Sequence, residues 1–107
     1  MLSQQSIEDI ATRLAARLGA GQVIVFGSYA KGCATHHSDL DLFVVADTNL
    51  PRAQRTAPVD AMLSGLLIPV DVHVYTPEEM AAYTADDTSF VSTVLRSGWT
   101  VLPRGQH

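Results

Sequence analysis

The 107-residue sequence has one cysteine, one lysine and no long apolar run, and each shortage removes a class of protein. Cys33 alone cannot close an intramolecular disulfide or supply a paired zinc site, so it is expected as a reduced core or surface residue. Lys31 is the only lysine, and the net charge of −4 comes from 11 acidic against 7 basic residues. That balance lacks the basic surface on which nucleic acid is held, so direct nucleic-acid binding is not expected. Any phosphate met by this chain has to be neutralised by metal ions instead. The apolar runs fall far short of a membrane span. The opening "MLSQQSIEDI" has neither a basic n-region nor an apolar h-region. The expectation is therefore no membrane segment, no signal peptide and a cytoplasmic location. What is present, 47% hydrophobic and 17% charged residues, suits a single compact domain over residues 1–107.

Periodicity divides the chain. Ile7, Ile10, Ala11, Leu14, Ala15 and Leu18 recur at helical spacing, with Glu8, Asp9, Arg13 and Arg17 opposite, Ser6 as the expected N-cap and Gly19 as the stop. "QVIVF", residues 22–26, reads as a buried strand ending at Gly27, where a second, short helix is expected to begin. "DLDLFVV" alternates, with Asp39, Asp41 and Phe43 on one face and Leu40, Leu42 and Val44 on the other. "APVDAMLSGLL" predicts a helix capped by Thr56, with Val59, Met62, Leu63 and Leu66 inward. "IPVDVHVYT" gives a third strand that sets Val70, Val72 and Val74 against Asp71, His73 and Tyr75. Thr76-Pro77-Glu78-Glu79 is a capping-box helix start. A further helix over "TSFVSTVLRS" stops at Gly98, and the tail "WTVLP" is left as a candidate last strand. Helices packed on a small sheet, an α+β or α/β domain, follow from this order.

Two aspartates in an apolar strand need an explanation. Asp39 and Asp41, at i and i+2, point to one face, where uncompensated like charges repel. A proton, a basic side chain or a divalent cation could neutralise them, and "HHSDLDLFVV" supplies no Lys or Arg. Hard oxygen donors favour Mg²⁺, which takes one or two carboxylates plus substrate phosphates. Asp71 has the pattern to face the same site if its strand is a neighbour, and three carboxylates then suffice for two ions, one on the attacking and one on the leaving oxygen. Gly27-Ser28, at a strand end, offers backbone N–H groups and a hydroxyl to phosphate oxygens.

"GSYAKGCATHHSDLDL" resembles the signature of the DNA polymerase β-like nucleotidyltransferase superfamily: Gly-Ser, ten residues, then Asp-x-Asp, with Asp71 placed like the third carboxylate. In length and spacing the chain is most similar to the minimal nucleotidyltransferases. The motif covers residues 26–75, and the order of elements extends it over most of the chain. The resemblance implies a small mixed β-sheet flanked by helices. It also implies transfer of a nucleoside monophosphate, AMP from ATP or its equivalent from another NTP, to an acceptor hydroxyl with release of pyrophosphate. By that likeness Asp39, Asp41 and Asp71 are catalytic and hold Mg²⁺, two ions in all. Asp71 also faces the acceptor and takes its proton, while Gly27, Ser28 and Lys31 bind the nucleotide. Relatives often carry Arg after the Ser; here the run is Tyr29-Ala30-Lys31, so Lys31 stands in for that charge. Many minimal members resemble antitoxins that silence a HEPN-domain toxin by attaching AMP to one of its tyrosines, which makes a protein the expected acceptor and a homo- or hetero-oligomer the expected assembly.

Plainer readings exist for the same residues. Asp39, Asp41 and Asp71 can be the solvated face of strands, and Ser28 a simple cap. His36 and His37 are read as substrate-edge or solvent residues of a loop rather than metal ligands, and His73 as a strand histidine beside Asp71. Phe90 and Trp99 are read as core or interface anchors, not base-stacking residues, and "TSFVSTVLRSGWTVLP" as either a docking surface or part of the core. Competing functions are a non-catalytic module that occludes a partner and an aminoglycoside-type modifier, whose relatives carry a further domain. Action on nucleic-acid ends is opposed by the acidic balance. The sequence does not identify the base.

Overall fold

The computed structural model describes residues 2–103. Its elements run α1 (Gln4–Leu18), β1 (Ala20–Phe26), β2 (Leu40–Ala46), two single 3-10 turns (Arg52–Gln54 and Ala57–Val59), α2 (Asp60–Ser64), β3 (Val70–Tyr75), α3 (Pro77–Thr84), α4 (Phe90–Ser97) and β4 (Trp99–Leu102). The strands form one sheet in the order β3-β2-β1-β4, with β2 and β3 parallel and the β1 pairings antiparallel. This is the mixed, helix-flanked α+β sheet the sequence implies, and "WTVLP" does supply the last strand.

Alternation along the strands gives each face of the sheet its own core. Leu40, Leu42 and Val44 of β2 join Val23 and Val25 of β1 under Ile7, Ile10, Ala11 and Leu14 of α1. On the other face, Ile24, Phe43 and Val45 pack with Val91 and Val94 of α4, and Phe26, Tyr75 and Met80 border them. Most of the apolar positions in the C-terminal segment thus serve the protein's own core. Two of them stay partly exposed on α4, Phe90 at 43% in its first turn and Leu95 at 38%. Among the described residues no helix is long and apolar enough to cross a membrane.

Three local expectations change. The N-cap of α1 is Ser3, not Ser6: the Ser3 Oγ accepts from the Ser6 N–H at 3.1 Å, so the helix starts earlier through Gln4 and Gln5. No helix follows Gly27-Ser28. Residues 27–32 make one tight turn, closed by Lys31 N–H to Gly27 O at 3.1 Å and Cys33 N–H to Ser28 O at 3.0 Å. Gly27 and Gly32 bound it at φ 74° and 72°, a left-handed backbone that a right-handed helix cannot pass through. The helix expected over "APVDAMLSGLL" is also broken, because Thr56 makes no side-chain cap and Val59, at φ −117° and ψ 0°, separates a 3-10 turn from the five-residue α2. By contrast the Thr76–Glu79 capping box forms in full.

Candidate active site

The sheet brings together residues far apart in sequence. Asp41 pairs with Phe26 of β1 on one side and with Asp71 of β3 on the other, so Phe26, Asp41 and Asp71 form one row on one face. The next row is Ile24, Phe43 and His73. Because β1 runs against β2 and β3, the end of β1 lies beside the starts of the other two. The Gly27-Ser28 turn therefore emerges next to the carboxylates.

That contact is close. A β-carbon at Gly27 would collide with Asp41 Oδ2, so any larger residue there has to push this carboxylate aside. Ser28 is half-buried in the turn, while Lys31 closes it through its backbone and is itself exposed. Tyr29 anchors the turn to the start of the chain, its hydroxyl accepting from the Leu2 N–H at 3.1 Å.

Asp41 is half-buried, Asp71 is exposed, and Asp39, immediately before β2, is exposed. Burial raises the Asp41 carboxyl above its ordinary range; the Asp71 charge and, less strongly, that of Asp39 push the same way, and His73 opposes them. The charges of the other two carboxylates thus both reach Asp41. Among the described residues no group of three or more His, Cys, Asp or Glu side chains is placed to hold a metal ion. The donor chemistry nonetheless fits a magnesium-type ion. It consists of hard oxygens whose mutual repulsion a cation relieves, and Mg²⁺ takes only one or two carboxylates, completing its shell with water and phosphate oxygens. His36 and His37 lie in the exposed loop before β2, where the His37 N–H bonds Thr35 Oγ1 at 3.2 Å. Cys33 is exposed and unpaired.

Two groupings are not legible in the sequence, which offers His73 and Phe90 only singly. One is aromatic: the rings of Phe26, His73 and Phe90 meet at centroid separations of 5.4, 5.3 and 5.6 Å for Phe26–His73, Phe26–Phe90 and His73–Phe90. The other lies at the far end of β3. There Arg55 donates to both Glu79 oxygens, at 2.6 and 3.1 Å, and to the Val74 carbonyl at 3.2 Å, while Arg52 lies over the Tyr75 ring at 4.7 Å. This ties the β2–β3 crossover to α3 and so helps set the strand that carries Asp71. The capping motif of Glu79 was readable, but its partner Arg55, 24 positions away, was not.

Residues 7–96 match the nucleotidyltransferase domain family. No curated protein matches the sequence. Among solved structures, a crystal structure of a toxin–antitoxin with AMP-PNP is similar at 22% identity and a TM-score of 0.62, covering 88% of this chain and 71% of the other. At that identity the likeness speaks for the fold.

Proposed function

The chain belongs to the nucleotidyltransferase domain family and is a nucleotidyltransferase, and we propose that it moves AMP from ATP, with Mg²⁺, onto a hydroxyl of a partner protein. The observation that carries this reading is the register pairing of Asp41 with Asp71 beside the Gly27 turn. Asp39, Asp41 and Asp71 would hold the metal, two ions where both the attacking and the leaving oxygen are served. When bound, Mg²⁺ supplies charge neutralisation at the α-phosphate and the leaving pyrophosphate.

The chain's own groups do the rest. The backbone and hydroxyl of the Gly27-Ser28 turn hold the triphosphate, with Lys31 reaching its outer charge. Asp71, exposed toward the sheet edge, orients the acceptor hydroxyl and takes its proton as the oxygen bonds to the α-phosphorus. The bond from the α-phosphorus to the bridging oxygen breaks, and pyrophosphate leaves.

The acceptor in this reading is a protein. The toxin–antitoxin assembly of the structural neighbour supports a partner of that kind, a HEPN-type toxin being the specific candidate, and its AMP-PNP supports ATP. The reaction would take place in the cytoplasm. The test is transfer of label from α-labelled ATP with Mg²⁺ to the product of the neighbouring gene, with Asp39→Asn/Asp41→Asn as control. Label on the partner that vanishes in the control is expected. A stable complex without label would replace transfer by occlusion.

A further inference from the structure

We propose that the exposed rings of Phe90 and His73, backed by Phe26, seat the nucleobase of the bound nucleotide; this rests on the nucleotidyl-transfer reading above. Phe26 immediately precedes Gly27 and is the register partner of Asp41, so the ring cluster begins where the triphosphate turn begins. His73 is two residues beyond Asp71 on the same strand face, and Asp41 feels its charge. Phe26 thus shares the row of Asp41 and Asp71, and His73 lies in the next row on the same face.

The cluster is open to solvent on one side, with Phe90 and His73 exposed and Phe26 half-buried. The interplanar angles are 62° for Phe26–His73, 80° for Phe26–Phe90 and 49° for His73–Phe90, so none of these pairs is stacked face to face. Phe43 and Tyr75 behind them differ, stacking at 22° with Phe43 fully buried. Phe90 keeps 43% of its surface exposed although apolar helix positions lie one residue further on, at Val91. An exposed ring held edge-on against a second ring, next to a triphosphate seat, has the form of a stacking platform. Stacking on such a platform tolerates any base, which agrees with a sequence in which no element specifies adenine. The His73 ring adds polar atoms that can meet a base edge.

Calorimetric binding of MgATP and of Mg-tripolyphosphate to the whole chain tests this, because only the first ligand carries a base. Phe90→Ala is expected to weaken MgATP about tenfold and leave tripolyphosphate unchanged, Phe90→Trp to retain ATP affinity, and His73→Ala to follow Phe90→Ala. Equal losses for both ligands would overturn the assignment. So would unchanged ATP binding with a raised KM for the acceptor protein, which would make the rings an acceptor contact. Wild-type protein that binds neither ligand would remove the nucleotide reading itself, a result distinct from failure of the platform alone.

Discussion

Gly27 lies so close to Asp41 that a single added β-carbon would strike the carboxylate oxygen, and Gly27 also holds φ at 74°. Two independent restrictions therefore fall on one position. Gly27→Ala must adopt a left-handed backbone and displace Asp41, and a stability loss of about 1–3 kcal/mol is expected. Displacing a carboxylate by about an ångström matters more for catalysis, so transfer should fall by roughly 100-fold or more. Urea unfolding and kcat/KM on the same preparation check both. A variant with lowered stability but full activity would detach the turn from the site.

Asp41→Asn should separate stability from function in the opposite way. Burial and the charge of Asp71 already disfavour the ionised Asp41, and its raised folded pKa means that the ionised form weakens the metal-free fold. The amide should leave stability equal or slightly higher near neutral pH. Saturating Mg²⁺ with a non-reactive ATP analogue should stabilise the wild type by ~2.7 kcal/mol at ~100 times Kd, on the order of 10 °C in Tm. The variant should show almost none of that shift. A full ligand-induced shift in Asp41→Asn would remove Asp41 from the metal site.

Much of this site was legible because its signals are local. The Asp-x-Asp alternation, the Gly-Ser at a strand end and the Thr76–Glu79 box each lie within a few residues. Strand order is not local: only the parallel pairing of β2 with β3 puts Asp71 opposite Asp41, and nothing in "PVDVHVY" states its partner. The helix expected after Gly27 fails for a reason the sequence holds only weakly, since Gly32 is as compatible with a loop as with a helix end. The sequence leaves Phe90 open as a core or an interface anchor, because apolar neighbours surround it. The first turn of α4 instead sets Val91 inward and leaves Phe90 against Phe26 at the surface.

The N-cap of α1 offers a direct comparison of two serines. Ser3 supplies the capping oxygen and Ser6 the N–H that it receives. Ser3→Ala should lower stability by about 1 kcal/mol. Ser6→Ala, which removes no capping oxygen, should change it by less than ~0.5 kcal/mol. Thermal melts of the two variants decide which serine starts the helix, and equal losses would contradict the observed cap.

The acid response should be governed by Glu79. Its carboxylate accepts from both terminal nitrogens of Arg55 and from the Thr76 N–H at 2.9 Å, and these bonds lower its pKa from 4.5 to about 2. A carboxyl with a depressed folded pKa stabilises the fold fully above its unfolded value, and that contribution is lost as pH falls from about 4.5 through about 2. Allowing for the partial exposure of Glu79, the effect is roughly 1–2 kcal/mol. Glu79→Gln should therefore be less stable than the wild type at pH 7, with the difference shrinking steadily across that acid window. Arg55 would keep its bonds to the carbonyls of Leu50 and Val74, so the crossover should stay in place. Transfer activity at neutral pH should fall no more than about threefold, since this cluster lies at the end of β3 remote from Asp71. Urea unfolding of both proteins between pH 7 and pH 2 measures the effect, and a stability difference independent of pH would assign it to packing instead of to the ion pair.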